Sequence, residues 1–317
     1  MQAMVFTRPG IMEILDVEPP VASKGEVIID VAACGICGSE LHGIDDAGFR
    51  KPPLVMGHEF SGFDPDGRAV AINPILSCGS CDLCSSGRPE VCRRRAIIGI
   101  HRAGAFAEQV AVPHSAVFEL PVGLPVTAGA LVEPLANALH AWNIGGGRSR
   151  STIGILGAGA IGMATLLVAK QFRASVAISD ISSERRSMAE RLGADHVVEA
   201  LEGEFDVTVD AVGTAATREA SLTQLGPGGT AVWVGLNEPD PRFDARDLVR
   251  FEKRVVGSFA YSPREFAEAI EIATQVAVDW ADQYPLSEGV RLFYELKAGS
   301  VQVVKALLCP TGTDFER

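Results

Sequence analysis

Six of the seven cysteines in the 317-residue chain fall between residues 34 and 92, and four of these are gathered as Cys78-Gly79-Ser80-Cys81-Asp82-Leu83-Cys84 with Cys92 beyond. Four thiolates on a run of turn-forming residues satisfy a closed tetrahedral Zn²⁺ site that leaves no position for substrate. Buried or disulfide-paired cysteines are the plainer alternative, but three cysteines at a three-residue pitch rarely pack an apolar core. An iron–sulfur cluster also uses four cysteines, yet the segment lacks ferredoxin-like spacing and the adjacent proline.

A second set of possible ligands precedes this one. Cys37-Gly38-Ser39-Glu40-Leu41-His42 and Gly57-His58-Glu59 carry a thiolate, an imidazole and a carboxylate, the three protein ligands that leave a fourth zinc position open for water or a substrate oxygen. His58 and Glu59 are adjacent, so they converge on one ion only from irregular or helical backbone, because neighbouring side chains on a strand diverge. By itself a His-Glu pair is more often a solvated surface pair.

The third constellation is Gly157-Ala158-Gly159-Ala160-Ile161-Gly162, a GxGxxG directly after an apolar strand candidate at 152–156 and before a helical run at 164–172. Its glycines serve a tight turn, close approach of a pyrophosphate and helix-on-strand packing, with the phosphates at the helix N-terminus. Asp180 ends the next strand candidate, 175–180, where an acid accepts hydrogen bonds from the adenosine ribose. That favours NAD over NADP, while Arg185 and Arg186 a turn away keep NADP open. Val234 and Gly235, at the end of a later apolar run, are expected at the same cofactor.

These groups need a scaffold of two kinds. Over the first hundred or so residues, short apolar runs alternate with turn signals, as in Gly25 followed by Glu26-Val27-Ile28-Ile29-Asp30-Val31, which reads as a β-rich domain. From Ser151, strand and helix candidates alternate: helices at 183–192 and 215–225, strands at 207–212 and 230–236. Strict alternation implies a parallel sheet with right-handed crossovers. Beyond Tyr261, helices at 263–274 and 287–296 and a strand at 301–308 are expected to return to the first domain. The division is therefore 1–143 with 263–317, and 144–262, in an α/β protein.

Composition narrows the function classes. The chain is 47% hydrophobic with 33 glycines and a formal charge of −12, which suits a folded α/β protein and opposes phosphate-driven nucleic-acid binding. Arg93-Arg94-Arg95 is the one compact basic run. No stretch reaches the roughly 20 apolar residues of a membrane span, and no secretory leader is evident at Met1-Gln2-Ala3-Met4. With clustered cysteines suited to a reducing compartment, a cytoplasmic protein without membrane or nucleic-acid partners is expected.

In order along the chain, CGICGSELH, GHEFSG, the four-cysteine lobe, LVEPLANALHAW and GAGAIG resemble the zinc-containing medium-chain alcohol dehydrogenases, particularly the polyol, sorbitol and threonine dehydrogenase branch. The resemblance covers almost the whole chain. It implies a GroES-like β domain interrupted by a Rossmann domain, a catalytic site in the cleft between them, two zincs per chain and a homodimer or homotetramer. It makes Cys37, His58 and Glu59 catalytic zinc ligands, with Glu133 binding directly or through water. Ser39 and His42 match the relay that passes an alcohol proton to solvent, although Ser39 could instead cap a helix. The implied activity is hydride transfer between NAD(P) and a secondary alcohol of polyol, sugar or sugar-acid type.

Two features depart from or extend the pattern. After Gly62 the family's longer strand and turn are replaced by Phe63-Asp64-Pro65-Asp66 leading at once to Gly67-Arg68-Ala69-Val70, as if a hairpin were trimmed. Arg102, in a segment resembling sugar-acid and polyol dehydrogenases, could meet a substrate carboxylate or hydroxyl, or be a surface residue. The rival from another class is a non-catalytic, NAD-sensing, zinc-stabilised protein of the same fold. A zinc-free quinone-type reductase is disfavoured by the four-cysteine lobe and the Cys37/His58 pair.

Overall fold

A computed structural model describes residues 1–45, 48, 50–239 and 243–310. The chain divides into two compact units, Met1–Glu133 with Ser262–Arg317, and Pro134–Tyr261. The first boundary lies at the N-terminal end of the helix Val132–Ile144, not at its C-terminal end.

The first unit is built on a largely antiparallel seven-stranded sheet in the order Val117–Glu119, Ala69–Ile72, Glu59–Phe63, Glu26–Gly35, Ala306–Cys309, Asp282–Pro285, with Gln109–Pro113 also paired to Glu26–Gly35. The long strand Glu26–Gly35 is its axis. In its first half Val27 and Ile29 are buried and alternate with less buried neighbours, whereas residues 31–35 are all buried, because that end is covered on both faces. The tail closes the sheet: Leu307 pairs with Gly35 and Leu308 with Cys34. Met4, Phe6, Ile29, Met56, Phe60, Phe106, Phe293 and Leu308 share one apolar core.

The expected strand at 301–308 is shorter, Ala306–Cys309. Val301 and Val303 pack on the core from irregular backbone, since an apolar run alone does not distinguish a paired strand from a packed loop. The hairpin after Gly62 is short. Phe63 pairs with Ala69 and Gly62 with Val70, and the Asp64 carboxylate accepts the N–H groups of Asp66 and Arg68 at 3.0 and 2.9 Å.

The second unit is a six-stranded sheet, every pair parallel, ordered His196–Val198, Ser175–Ser179, Thr152–Leu156, Phe205–Asp210, Leu225–Trp233, Arg254–Gly257. In chain order this is 3-2-1-4-5-6, the dinucleotide-binding winding. Its central strands are buried in unbroken runs, as in Ile153 to Leu156 and Val176 to Ser179, because helices cover both faces of such a sheet. The strand order reverses between Thr152–Leu156 and Phe205–Asp210. Ligands of open α/β sheets bind outside the carboxyl ends of the strands at such a point.

Candidate functional site

The glycine loop sits at that reversal. The helix after it is Ala160–Gln171, with Gly159 as N-cap, so it starts four residues earlier than the expected 164 and its first turn lies inside the motif. Gly157 has φ +94, and a Cβ on Gly162 would collide with the Gly157 carbonyl, so the helix lies directly on the strand. A Cβ on Gly159 would meet nothing within 4 Å. The middle glycine therefore faces open space, beside the unpaired N–H groups of the helix's first turn, a geometry able to accept a phosphate group.

Asp180 is buried beside this loop. Its Oδ2 accepts the Ala158 N–H at 2.8 Å and its Oδ1 accepts the Ser182 N–H at 2.9 Å. Two bonds leave a carboxylate with capacity for ribose hydroxyls, as it offers about four lone-pair sites. Arg185 Nη1 stands 3.8 Å from Asp180 Oδ2, and Arg186 ties down the carbonyls of Asp180 and Ile181 at 2.7 and 3.1 Å. Val234 and Gly235 follow the strand Leu225–Trp233, and both donate N–H to the Asp210 carbonyl at 3.0 Å.

Sequence reasoning passed over Asp210 and Arg218 here. Asp210 is fully buried and its Oδ1 accepts the Val212 and Gly213 N–H groups at 3.0 and 2.8 Å; burial pushes its carboxyl above the ordinary range. Arg218 donates to the carbonyls of Glu238 and Gly235 and stacks over Trp233. Together they shape the backbone around Val234 and Gly235. No local motif marks either residue.

In the first unit the four lobe cysteines come together. A two-stranded base pairs Ile75 with Ile97, and the loop it carries includes the short helix Asp82–Ser85 and the turn Pro89–Val91. All four sulfurs lie within 4.8 Å of one another. Cys81 Sγ is 3.5 Å from Cys84 Sγ and 3.8 Å from Cys92 Sγ, and Cys78 Sγ is 4.0 Å from Cys84 Sγ. Zn–S bonds of about 2.3 Å at tetrahedral angles separate sulfurs by about 3.8 Å, so the set fits zinc as it stands, and no disulfide occupies it. The Ser80 N–H, then Cys92 and the Arg94 guanidinium, bring the Cys78 thiol down to about 5. Cys84 moves the other way, to about 11, through desolvation and its thiol contacts with Cys81 and Cys92.

Ligand atoms of Cys37, His58 and Glu59 likewise lie within 4.8 Å of one another. The backbone solves the problem of adjacent ligands. His58 lies in irregular chain just before the strand Glu59–Phe63, after Gly57 with φ +97, where a Cβ would collide with Cys34 Sγ and the Phe106 N–H. The turn at Gly57 lets both side chains face one point. Cys37 is the N-cap of the helix Gly38–His42, with Glu40 completing a capping box. The alternative role for Ser39 as a helix cap is thereby corrected: Cys37 takes it, and Ser39 stands in the first turn with Oγ 3.4 Å from Cys37 Sγ.

Two buried residues that sequence reasoning missed organise these ligands. The fully buried Glu40 accepts the N–H groups of Cys37 and Gly57 at 3.0 and 2.9 Å and meets His58 Nδ1 at 3.0 Å. Burial opposes charge on both groups, but their mutual attraction wins. Glu40 is held below the usual carboxylate range and His58 well above the usual imidazole range, and the carboxylate fixes the orientation of the ring. Lys305 is 2% exposed and forms an ion pair with Glu59, while Nζ also donates to the Ile36 carbonyl at 3.0 Å. The three-residue step from Cys37 to Glu40 was a legible capping-box signal. A lone lysine in the apolar run 303–308 was the clue to Lys305.

Other expected residues stand apart. Glu133 is buried and lies within electrostatic reach of Lys305, but among the described residues the compact group that could hold an ion is Cys37, His58 and Glu59. His42 is exposed, and no hydrogen bond joins it to Ser39. Arg102 turns to the protein itself, donating to Glu26 at 2.6 Å and to the Ala111 carbonyl at 3.1 Å, and so links two paired strands.

Comparison with known proteins agrees with both halves of this arrangement. Residues 23–122 match the alcohol dehydrogenase GroES-like domain and residues 160–275 the zinc-binding dehydrogenase model. The chain is 30% identical to (R,R)-butanediol dehydrogenase of Saccharomyces cerevisiae, over 98% of each chain. It is also 30% identical to galactitol 1-phosphate 5-dehydrogenase of Escherichia coli K12, over 82% of this chain and 83% of that one. A zinc-binding dehydrogenase of Sinorhizobium meliloti 1021, solved bound to NADP, superposes with a TM-score of 0.90 at 31% identity, covering 98% of this chain and 99% of that one. With its thiolate lobe, its Cys-His-Glu cluster and its glycine loop at the sheet reversal, the chain belongs to the family of zinc-dependent medium-chain alcohol and polyol dehydrogenases.

Proposed function

We propose that this zinc- and NAD(P)-dependent oxidoreductase carries out reversible hydride transfer between NAD and a small secondary alcohol of polyol, sugar or sugar-acid type, at a site formed by Cys37, His58 and Glu59. The convergence of those three ligand atoms within 4.8 Å carries the reading. Zinc held there supplies a Lewis acid to the substrate oxygen, and the dinucleotide supplies the hydride acceptor.

The chain's own residues do the rest. Glu40 fixes the His58 ring so that Nε2 faces the cluster, and Lys305 balances Glu59; Glu133 adds a nearby carboxylate as direct or water-mediated ligand. Ser39, against Cys37 Sγ, is placed to exchange a proton with an alcohol, and the exposed His42 to release it to solvent. Cys78, Cys81, Cys84 and Cys92 hold a second, structural zinc. Gly157, Gly159, Ala160, Ile161 and Gly162 receive the pyrophosphate, Asp180 the ribose, and Val234 and Gly235 the remainder of the cofactor. Asp180 favours NAD, and Arg185 beside it leaves NADP acceptable. With 3 Trp and 3 Tyr in the chain, a polar or small aliphatic substrate suits it better than a large flat one.

The strand Arg254–Gly257 ends the parallel sheet with one side unpaired among the described residues, which supports a homodimer or homotetramer built on edge pairing. The thiol-rich lobe supports a reducing, cytoplasmic setting.

Elemental analysis of zinc per chain, combined with NAD(H) absorbance on polyols, sugar acids and simple secondary alcohols, tests the proposal. About two zincs with NAD-linked turnover of one of these classes is the expected result. One zinc, and no turnover after zinc is resupplied, would leave the lobe standing and sink the catalytic assignment.

A further inference from the structure

Ser39 has a neighbour that no motif announces. Arg50 is 2% exposed, and an arginine is seldom so buried without compensation for its charge. Burial does weaken its hold on its proton, and the negative charges of Glu40 and Cys37 work against that loss. Its Nη2 lies 3.4 Å from Ser39 Oγ, which itself lies 3.4 Å from Cys37 Sγ. A side chain at Gly43, the residue after the helix Gly38–His42, would collide with the Arg50 guanidinium, so the glycine leaves room for it. The guanidinium thus reaches Ser39 from within the protein, whereas His42 stands exposed without a hydrogen bond to Ser39.

We propose that Arg50 is the positioning residue for Ser39, holding its hydroxyl oxygen by N–H donation so that its single proton is directed to the Cys37 side. A guanidinium has donors and no acceptor, and a hydroxyl has one proton and two lone pairs. Contact with Arg50 therefore fixes Ser39 Oγ as acceptor on that side, and the hydroxyl proton must turn elsewhere, toward Cys37 Sγ and the reacting oxygen. Arg50 never exchanges the proton; it sets the direction in which Ser39 does. The orientation of Ser39 then depends on Arg50 and is independent of His42. This inference rests on the Ser39 relay proposed above.

The test uses the full-length, zinc-loaded enzyme with 2,3-butanediol and NAD, and the variants S39A, R50Q, R50K, H42A, S39A/R50Q and S39A/H42A, each checked for zinc content. Expected is a fall in kcat of about tenfold or more in R50Q with KM for NAD unchanged, partial recovery in R50K because an ammonium still donates, and no further loss when R50Q is added to S39A. H42A, downstream in the same relay, should likewise add little to S39A, but unlike R50Q it should leave the cobalt band in place. In the cobalt-substituted protein, which needs no turnover, the thiolate-to-cobalt absorption should shift alike in R50Q and S39A. Multiplicative R50Q and S39A effects with an unmoved cobalt band in R50Q would overturn the role of Arg50 while leaving the relay standing. Wild-type kcat in S39A would sink the relay and this inference with it.

Discussion

Glu40 Oε1 stands 3.0 Å from His58 Nδ1, and both side chains are buried. An ionised carboxylate only accepts, so Nδ1 carries the proton and Nε2 is the ring atom left for a metal. Partners of this kind hold a ligand ring in one tautomer and one orientation. Glu40→Gln should weaken zinc at the Cys37/His58/Glu59 cluster by about 10–100-fold, read by chelator competition, with the four-cysteine lobe keeping its zinc. Equal loss from both clusters would show general unfolding and count against the assignment.

Lys305 and Glu59 form an ion pair with side chains 1% and 2% exposed. Removing one member strands the other charge in the interior, at a cost of about 3–5 kcal/mol. Lys305→Met should show that loss in urea denaturation, and Lys305→Met with Glu59→Gln should recover a large part of it. A single variant within 0.5 kcal/mol of wild type, on the order of an ordinary surface change, would mean that the pair does not bear on the fold.

Gly162 allows the helix Ala160–Gln171 to lie on the strand that precedes it, because any Cβ there would collide with the Gly157 carbonyl. Gly162→Ala should lift the helix start and its N–H groups from the phosphate position. NADH affinity, followed by fluorescence titration, should fall roughly tenfold or more, with zinc content retained. Wild-type affinity would contradict the close packing.

Asp64 holds the short hairpin turn. Burial alone would raise its carboxyl, but the Arg68 N–H and guanidinium outweigh it, and the group sits below the ordinary range. A folded-state value below the unfolded one stabilises the fold above the unfolded pKa, and that contribution fades as pH drops through the folded value. Asp64→Asn should therefore be less stable than wild type by about 1–2 kcal/mol near neutral pH, with the gap steady down to about pH 5 and closing below about pH 4. A gap that widens on acidification would reverse the sign of this argument.

Much of the site was legible because its chemistry is carried by short, local motifs. The three-residue pitch of Cys78, Cys81 and Cys84 confines their sulfurs to one loop whatever the rest of the chain does. The GxGxxG loop, the strand before it and Asp180 lie within one βαβ segment, where local geometry dictates contact. Element ends were less legible. The helix at Ala160 was expected at 164 because Ala160, Ile161 and Gly162 read as loop, and only packing on the strand Thr152–Leu156 draws them into the first turn.

Residue types and spacing by themselves determined the lobe, the dinucleotide loop, the alternation that makes a parallel sheet and the class of chemistry. The tertiary structure decided which distant residues serve them. Lys305 reaches Glu59 across 246 positions because the tail strand Ala306–Cys309 pairs with Glu26–Gly35. Arg50 meets Ser39 because Gly43 leaves space. Arg102, outside any strand, reaches Glu26 and the Ala111 carbonyl because the strands Glu26–Gly35 and Gln109–Pro113 pair side by side. A spacing rule reaches only as far as the local backbone is determined; burial and charge compensation between remote residues follow from how the sheet closes, and that is a property of the whole fold.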